Sequence, residues 1–141
     1  EYRPDRRIIT MQVNVDGYEV ATYTANGLLV STATGSTAYN LAAGGPILYP
    51  TMAAHAITPI CPHCITHRTP LVMDASSTIE ILYKGPEDRD AMLTLDGKNL
   101  GVLQMGDRIH INRAQKPLLL CPSRQGVFRT MHEKFGWGGL K

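Results

Sequence analysis

No apolar run in this sequence approaches the roughly 18 residues that a membrane-spanning helix requires. No lysine-rich block stands out and the formal net charge is only +2. The chain therefore has no electrostatic footprint for nucleic acid or for a lipid surface. Cysteine is scarce, and three is an odd number, which argues against a secreted disulfide framework and for the cytoplasm or another reducing compartment. The opening stretch EYRPDRRIIT is charged and does not read as a signal peptide. It begins at Glu1 rather than at methionine, as a processed chain or a fragment does. There is no internal repeat and no low-complexity tract. Outside one C-P-H-C run, no histidine stands at suggestive spacing from a serine or cysteine, so a hydrolase is poorly supported.

What is present is a globular composition. Of 141 residues, 43% are apolar and 18% charged, enough for one domain with a core. Thirteen glycines and nine prolines favour short strands and many turns over long helices. Met11, Val13 and Val15 alternate with polar residues, as in a half-buried strand, and Asp16-Gly17 is a hairpin turn signal. Val20 and Tyr23 lie on the return strand. Asn26-Gly27 reads as a further turn before a buried strand at Leu28-Leu29-Val30. Ile79, Ile81 and Tyr83 alternate with Thr78, Glu80 and Leu82, and a second hairpin turns at Asp96-Gly97. Strands are also expected at Ile109 to Asn112 and at Leu118 to Cys121. Val127, Phe128, Met131 and Phe135 have helical spacing. The total is about eight to ten short strands and one or two helices, a mainly β, sandwich-like fold with a C-terminal helix.

Two segments carry possible chemistry. Thr34-Gly35-Ser36-Thr37 runs from a strand into TAYNLAAGG, which could form a short helix capped by Thr37 or Ser36 and ended by Gly44-Gly45-Pro46. Backbone N–H groups and hydroxyls at such a turn can cradle a ligand; equally, they can simply cap a helix. The turn matches neither the glycine-rich dinucleotide fingerprint nor the phosphate loop ending in Gly-Lys-Ser/Thr. The second segment, Cys61-Pro62-His63-Cys64, has His67 nearby and Cys121 far off. It could hold zinc or act as a redox pair, although Pro62 and its apolar flanks point to a buried bend. The prolines at 59, 62 and 70 confine this region's strands to edges or bends. Asp16, Asp74, Asp96 and Asp107 lie in or near turns and serve turn geometry.

The run from Asn26 to Tyr39, NGLLVSTATGSTAY, with Gly45-Pro46-Ile47 and the Pro59 to Arg68 segment, resembles the C-terminal domain of the NAD kinases. LTLDGKNLGVLQMGDRIHI and FRTMHEKFGW resemble that family's tail, so the likeness covers residues 1–141 as one domain. It implies an enzyme family that transfers phosphate from ATP, or polyphosphate in some members, to the adenosine-ribose 2′-hydroxyl of NAD. It also implies a homodimer or homotetramer in which NAD lies between an N-terminal α/β domain and this β-rich one. The implied NAD-binding residues are Thr37, Ala38, Tyr39, Asn40, Leu41, Ala42, Asn26, Thr24, Arg7 and, less securely aligned, Lys98.

Three departures qualify that reading. Asn26 stands where the family has aspartate, which keeps an acceptor but loses the charge. Ala33 stands where it has proline, which should loosen the turn. The Gly-Gly-Asp-Gly-Thr motif, whose aspartate is the family's proposed base, does not occur in this sequence, nor does the Asn-Glu pair that follows it. The resemblance thus implies no catalytic residue here, a divalent metal such as magnesium only with ATP in the full-length enzyme, and no activity of this chain alone. The alternatives are a non-catalytic nucleotide-binding or assembly subunit and a member of the related lipid kinases. The Thr-Gly-Ser-Thr-Ala-Tyr run favours NAD over the lipid reading.

Overall fold

The computed structural model describes residues 8–87, 90–119, 121 and 126–136. Strands β1 (Ile9–Val15) and β2 (Tyr18–Ala25) form the expected hairpin, with Asp16 at φ 51° and Gly17 at φ 84°. Two consecutive left-handed residues match the twist of a tight two-residue hairpin, which is why Asp-Gly is found there. Strand β1 also pairs with β6 (Ile79–Gly85), and β6 with β9 (Arg108–Ile111). The result is a four-stranded antiparallel sheet in the order β2-β1-β6-β9. A second sheet, β3-β4-β5, is built from Gly27–Thr32, Ala54–Ile60 and Leu71–Asp74. Strands β7 (Ala91–Leu95) and β8 (Lys98–Leu103) form a separate hairpin with Asp96 and Gly97 at its turn.

The core lies where the first two sheets meet. Met11 and Val13 from β1, Ile79, Ile81 and Tyr83 from β6 and Tyr23 from β2 pack with Ile57 of β4. The alternation in the sequence places these side chains on one face of the four-stranded sheet, and Ile57 brings the other sheet against them. Each such fully buried side chain contributes about 1.5–3 kcal/mol of apolar burial. The fold is thus mainly β and antiparallel, as expected, with helix α2 (Val127–Phe135) near its C-terminal end. Met131 is the buried residue of α2, while the Phe128 ring lies 5.8 Å from that of Tyr49.

Asn26 bends the chain as expected, and three other expectations need correction. At this bend the chain passes between sheets, since β2 pairs in one and β3 in the other, with only one residue off the ladders. The Asn26 N–H donates to the Ile60 carbonyl at 2.9 Å, which prolongs the β3–β4 pairing instead of reversing the chain. Strand β4, with Pro59 inside it, is central rather than an edge. Pro59 is tolerated because β5 pairs only with residues 54–57, so no partner there needs its missing N–H. The Cys61–Cys64 bend is exposed, not buried. Leu118 and Leu119 are exposed and lie outside any strand; Leu120 lies outside the described residues. No helix among the described residues is long and apolar enough to cross a membrane.

Candidate functional site

The strand-to-helix segment folds as a 3-10 turn, Gly35–Thr37, followed by the single-turn helix α1, Tyr39–Ala42. Neither Ser36 nor Thr37 caps it. The Ser36 hydroxyl is buried; it donates to the Ala33 carbonyl at 2.6 Å and accepts from the Leu48 N–H at 3.0 Å. Thr37 Oγ1 donates to the Thr34 carbonyl at 3.4 Å, and the Thr32 hydroxyl accepts from the Gly35 N–H at 3.3 Å. The Ser36 hydroxyl thus ties the turn back to the chain that follows α1. Ala33, expected to loosen the turn, is buried among Leu48, Ala54 and Ala56, and its carbonyl is the acceptor that Ser36 uses.

Asn40 completes this scaffold. It is 2% exposed, and its amide nitrogen donates to the Ser36 and Pro46 carbonyls, each at 3.0 Å. Its amide oxygen accepts from the Thr58 hydroxyl at 2.7 Å. One side chain therefore joins the 3-10 turn, the chain leaving α1 and the central strand β4. The close packing explains Gly45, where a Cβ would overlap the Asn40 amide. Gly44 at φ 86° reverses the chain after α1, as the sequence suggests. With these groups turned inward, Ala38, Tyr39 and Ala42 face outward, and the Tyr39 ring is 59% exposed. Thr37 and Leu41 are half-buried.

Beyond α1 opens a cleft of about 560 Å³ lined by Ala43, Pro59, Cys61, Pro62, His63 and Arg68. Two predicted residues border its loop through the backbone. The Thr24 carbonyl accepts from the His63 N–H at 2.9 Å, and Asn26 is bonded to Ile60 as described. Asn26 is exposed and Thr24 half-buried. A further brace comes from His67, whose ring centroid lies 5.7 Å from that of Tyr23. Burial raises the Tyr23 hydroxyl pKa, so this core ring stays neutral. Beside the cleft the Cys64 thiol lies 2.9 Å from the Thr66 hydroxyl. That hydrogen bond, with smaller help from backbone N–H groups and Arg68, lowers the thiol pKa.

The structure thus brings together the α1 turn, Thr24, Asn26 and the 61–68 loop. Lys98 is not with them; it begins β8 on the separate hairpin and is not among the residues lining the cleft. Arg7 lies outside the described residues. Among the described residues, no three His, Cys, Asp or Glu side chains gather as a metal site.

The family model of the ATP-NAD kinase C-terminal domain matches residues 1–123. The chain belongs to this family. Its relatives include the NAD kinase of Koribacter versatilis (strain Ellin345), 43% identical over 132 residues, covering 94% of this chain and 46% of that protein. The NAD kinase of Citrifermentans bemidjiense is 44% identical over 133 residues, again 94% and 46%. Among solved structures, yeast NADH kinase complexed with NADH superposes with a TM-score of 0.85 at 27% identity, covering 98% of this chain and 42% of that one. An NAD kinase from Archaeoglobus fulgidus in complex with ATP gives 0.67 at 27% identity, covering 80% and 42%. The chain therefore spans about half the length of the NAD kinases it matches.

The cleft residues His63 and Arg68 lie within the Pro59 to Arg68 segment but are not among the residues the resemblance implies. Their signal was the loop's proline spacing together with a basic residue. Asn40, one of the residues the resemblance implies, has its side chain engaged in holding the turn.

Proposed function

We propose that this chain is the dinucleotide-binding part of an NAD kinase, an enzyme that phosphorylates the adenosine-ribose 2′-hydroxyl of NAD with ATP or polyphosphate to make NADP. The observation that carries the proposal is the outward presentation of Ala38, Tyr39 and Ala42 on the turn whose next residue, Ala43, lines the cleft, in a chain whose fold superposes on a kinase complexed with NADH. Small residues let a flat base approach, the exposed Tyr39 ring offers it an apolar face, and Thr37 supplies a hydroxyl for its polar edge. Asn26 offers an amide to a ribose or carboxamide group. Asn40 acts from behind: it positions the turn and leaves the ligand to its neighbours. His63 and Arg68 extend the site, with the Arg68 guanidinium suited to a phosphate oxygen.

The phosphoryl-transfer chemistry needs groups that this chain does not supply. The Gly-Gly-Asp-Gly-Thr motif is absent from the sequence. Among the described residues no three His, Cys, Asp or Glu side chains gather, and magnesium that accompanies a nucleotide is held largely by phosphates and water. The metal that accompanies ATP belongs with the motif-bearing half. Assembly as a homodimer or homotetramer is part of the proposal. It is supported by the exposed apolar residues Met92, Leu95, Leu100 and Val102 on the β7–β8 hairpin. The test is NADP formation. The chain alone should convert no NAD with ATP, and joining it to a relative's Gly-Gly-Asp-Gly-Thr half should restore turnover. Turnover by the isolated chain, or none in the joined protein when it is folded, would overturn the assignment.

A further inference from the structure

Cys61 and Cys64 are both free and exposed, three residues apart in one bend. Cys61 holds the left-handed conformation at φ 46°, uncommon for a residue with a side chain, and this bends the chain sharply where β4 ends. The bend is anchored on both sides. The Asn26 N–H donates to the Ile60 carbonyl before it, the His63 N–H to the Thr24 carbonyl within it, and the His67 N–H to the Cys64 carbonyl after it. The two thiols are not equivalent. Cys64 Sγ is hydrogen-bonded to the Thr66 hydroxyl at 2.9 Å, whereas Cys61 forms part of the cleft wall together with Arg68. A hydroxyl that can donate to a sulfur favours its thiolate, and the thiolate is the nucleophile. The lowered pKa of Cys64 agrees with this geometry. A metal has less support, because no third ligating side chain joins the pair among the described residues.

We propose that this bend is a thiol–disulfide exchange site for low-molecular-weight disulfides, with Cys64 as the attacking thiol and Cys61 as the resolving one. In the first step the Cys64 thiolate attacks one sulfur of the small disulfide. A Cys64–sulfur bond forms, the small molecule's S–S bond breaks, and its other half leaves as a thiolate that takes up the proton Cys64 lost. In the second step the Cys61 thiolate attacks the Cys64 sulfur and expels the remaining half, which is protonated in turn. Two protein thiols are oxidised to one disulfide and the small disulfide is reduced to two thiols, so no further oxidant is needed. The product is an internal crosslink in the wall of the cleft. The reaction is independent of whether the cleft takes a dinucleotide.

The test uses the whole chain with Cys121→Ser, incubated with glutathione disulfide and followed by intact mass, with circular dichroism confirming each variant's fold. The expected product has lost two hydrogens and carries no glutathione. Adding Cys61→Ser should trap one glutathione on Cys64, and adding Cys64→Ser should slow adduct formation by at least about tenfold. On the unsubstituted chain, peptide mapping should join Cys61 to Cys64. Stable glutathione adducts where both cysteines are present, equal rates for the two single-thiol variants, or a crosslink to Cys121 would overturn the proposal.

Discussion

The two walls of the cleft are held in different ways. The 33–48 segment is fixed from inside by a buried polar network in which Ser36 and Asn40 satisfy backbone groups and reach Thr58. The 61–68 loop is mostly exposed and is tied to the sheets by backbone hydrogen bonds and one ring contact. A fully satisfied buried network specifies one geometry, because any rearrangement strands a polar group away from water. An exposed loop meets no such penalty. The first wall can therefore present fixed surfaces, while the second can carry reactive or adaptable groups.

Cutting the network should have the largest effect. Asn40→Ala leaves the Ser36 and Pro46 carbonyls and the Thr58 hydroxyl without their partner. With about 1–3 kcal/mol per unsatisfied buried group, a loss of about 3 kcal/mol or more is expected in urea unfolding. Gly45→Ala pushes a methyl into the same amide and should cost about 1–3 kcal/mol. On the exposed wall, Arg68→Ala should stay within about 0.5 kcal/mol of the parent, as surface changes do. A loss there as large as that of Asn40→Ala would erase the contrast.

A control away from both walls sharpens it further. The Glu80 carboxylate accepts from Asn14 at 3.0 Å and from Arg108 at 2.7 Å. The Asn14 hydrogen bond first, then Arg108 and His110, lower its pKa. A carboxyl with a folded pKa below its unfolded value stabilises the fold above the unfolded pKa. That stability is lost as pH falls through the folded pKa. Glu80→Gln should therefore reduce stability slightly near neutral pH and flatten its decline in acid, seen as converging urea midpoints. An unchanged acid dependence would show that Glu80 does not contribute it.

The sandwich was legible because alternation is local. Met11, Val13 and Val15, with Ile79, Ile81 and Tyr83, declare a buried face without knowledge of their partners, and each Asp-Gly pair declares its own turn. The inward role of Asn40 was not legible, since it depends on Thr58, eighteen residues away on another strand. Ser36 reads as a cap for the same reason: its acceptor at Ala33 is local, but its burial against Leu48 is not. The passage between sheets at Asn26 was hidden because Asn-Gly is equally a turn signal, and only the pairing of β3 with β4 decides it. Ala38, Tyr39 and Ala42 entered on the family likeness alone, since nothing in their own pattern marks the side chains that face outward.

The central claim is that Tyr39 presents an apolar face to a dinucleotide from a rigid turn. Calorimetric titration of NAD into the chain tests it most directly, beside Tyr39→Ala and, as the comparison, Tyr49→Ala, an exposed tyrosine whose ring lies tilted against that of Phe128. The account predicts saturable binding to the parent chain, a loss of at least about tenfold in affinity for Tyr39→Ala, of the order one stacked aromatic supplies, and near-parent affinity for Tyr49→Ala. Equal affinities for the two variants, or no binding by the folded parent, would contradict it.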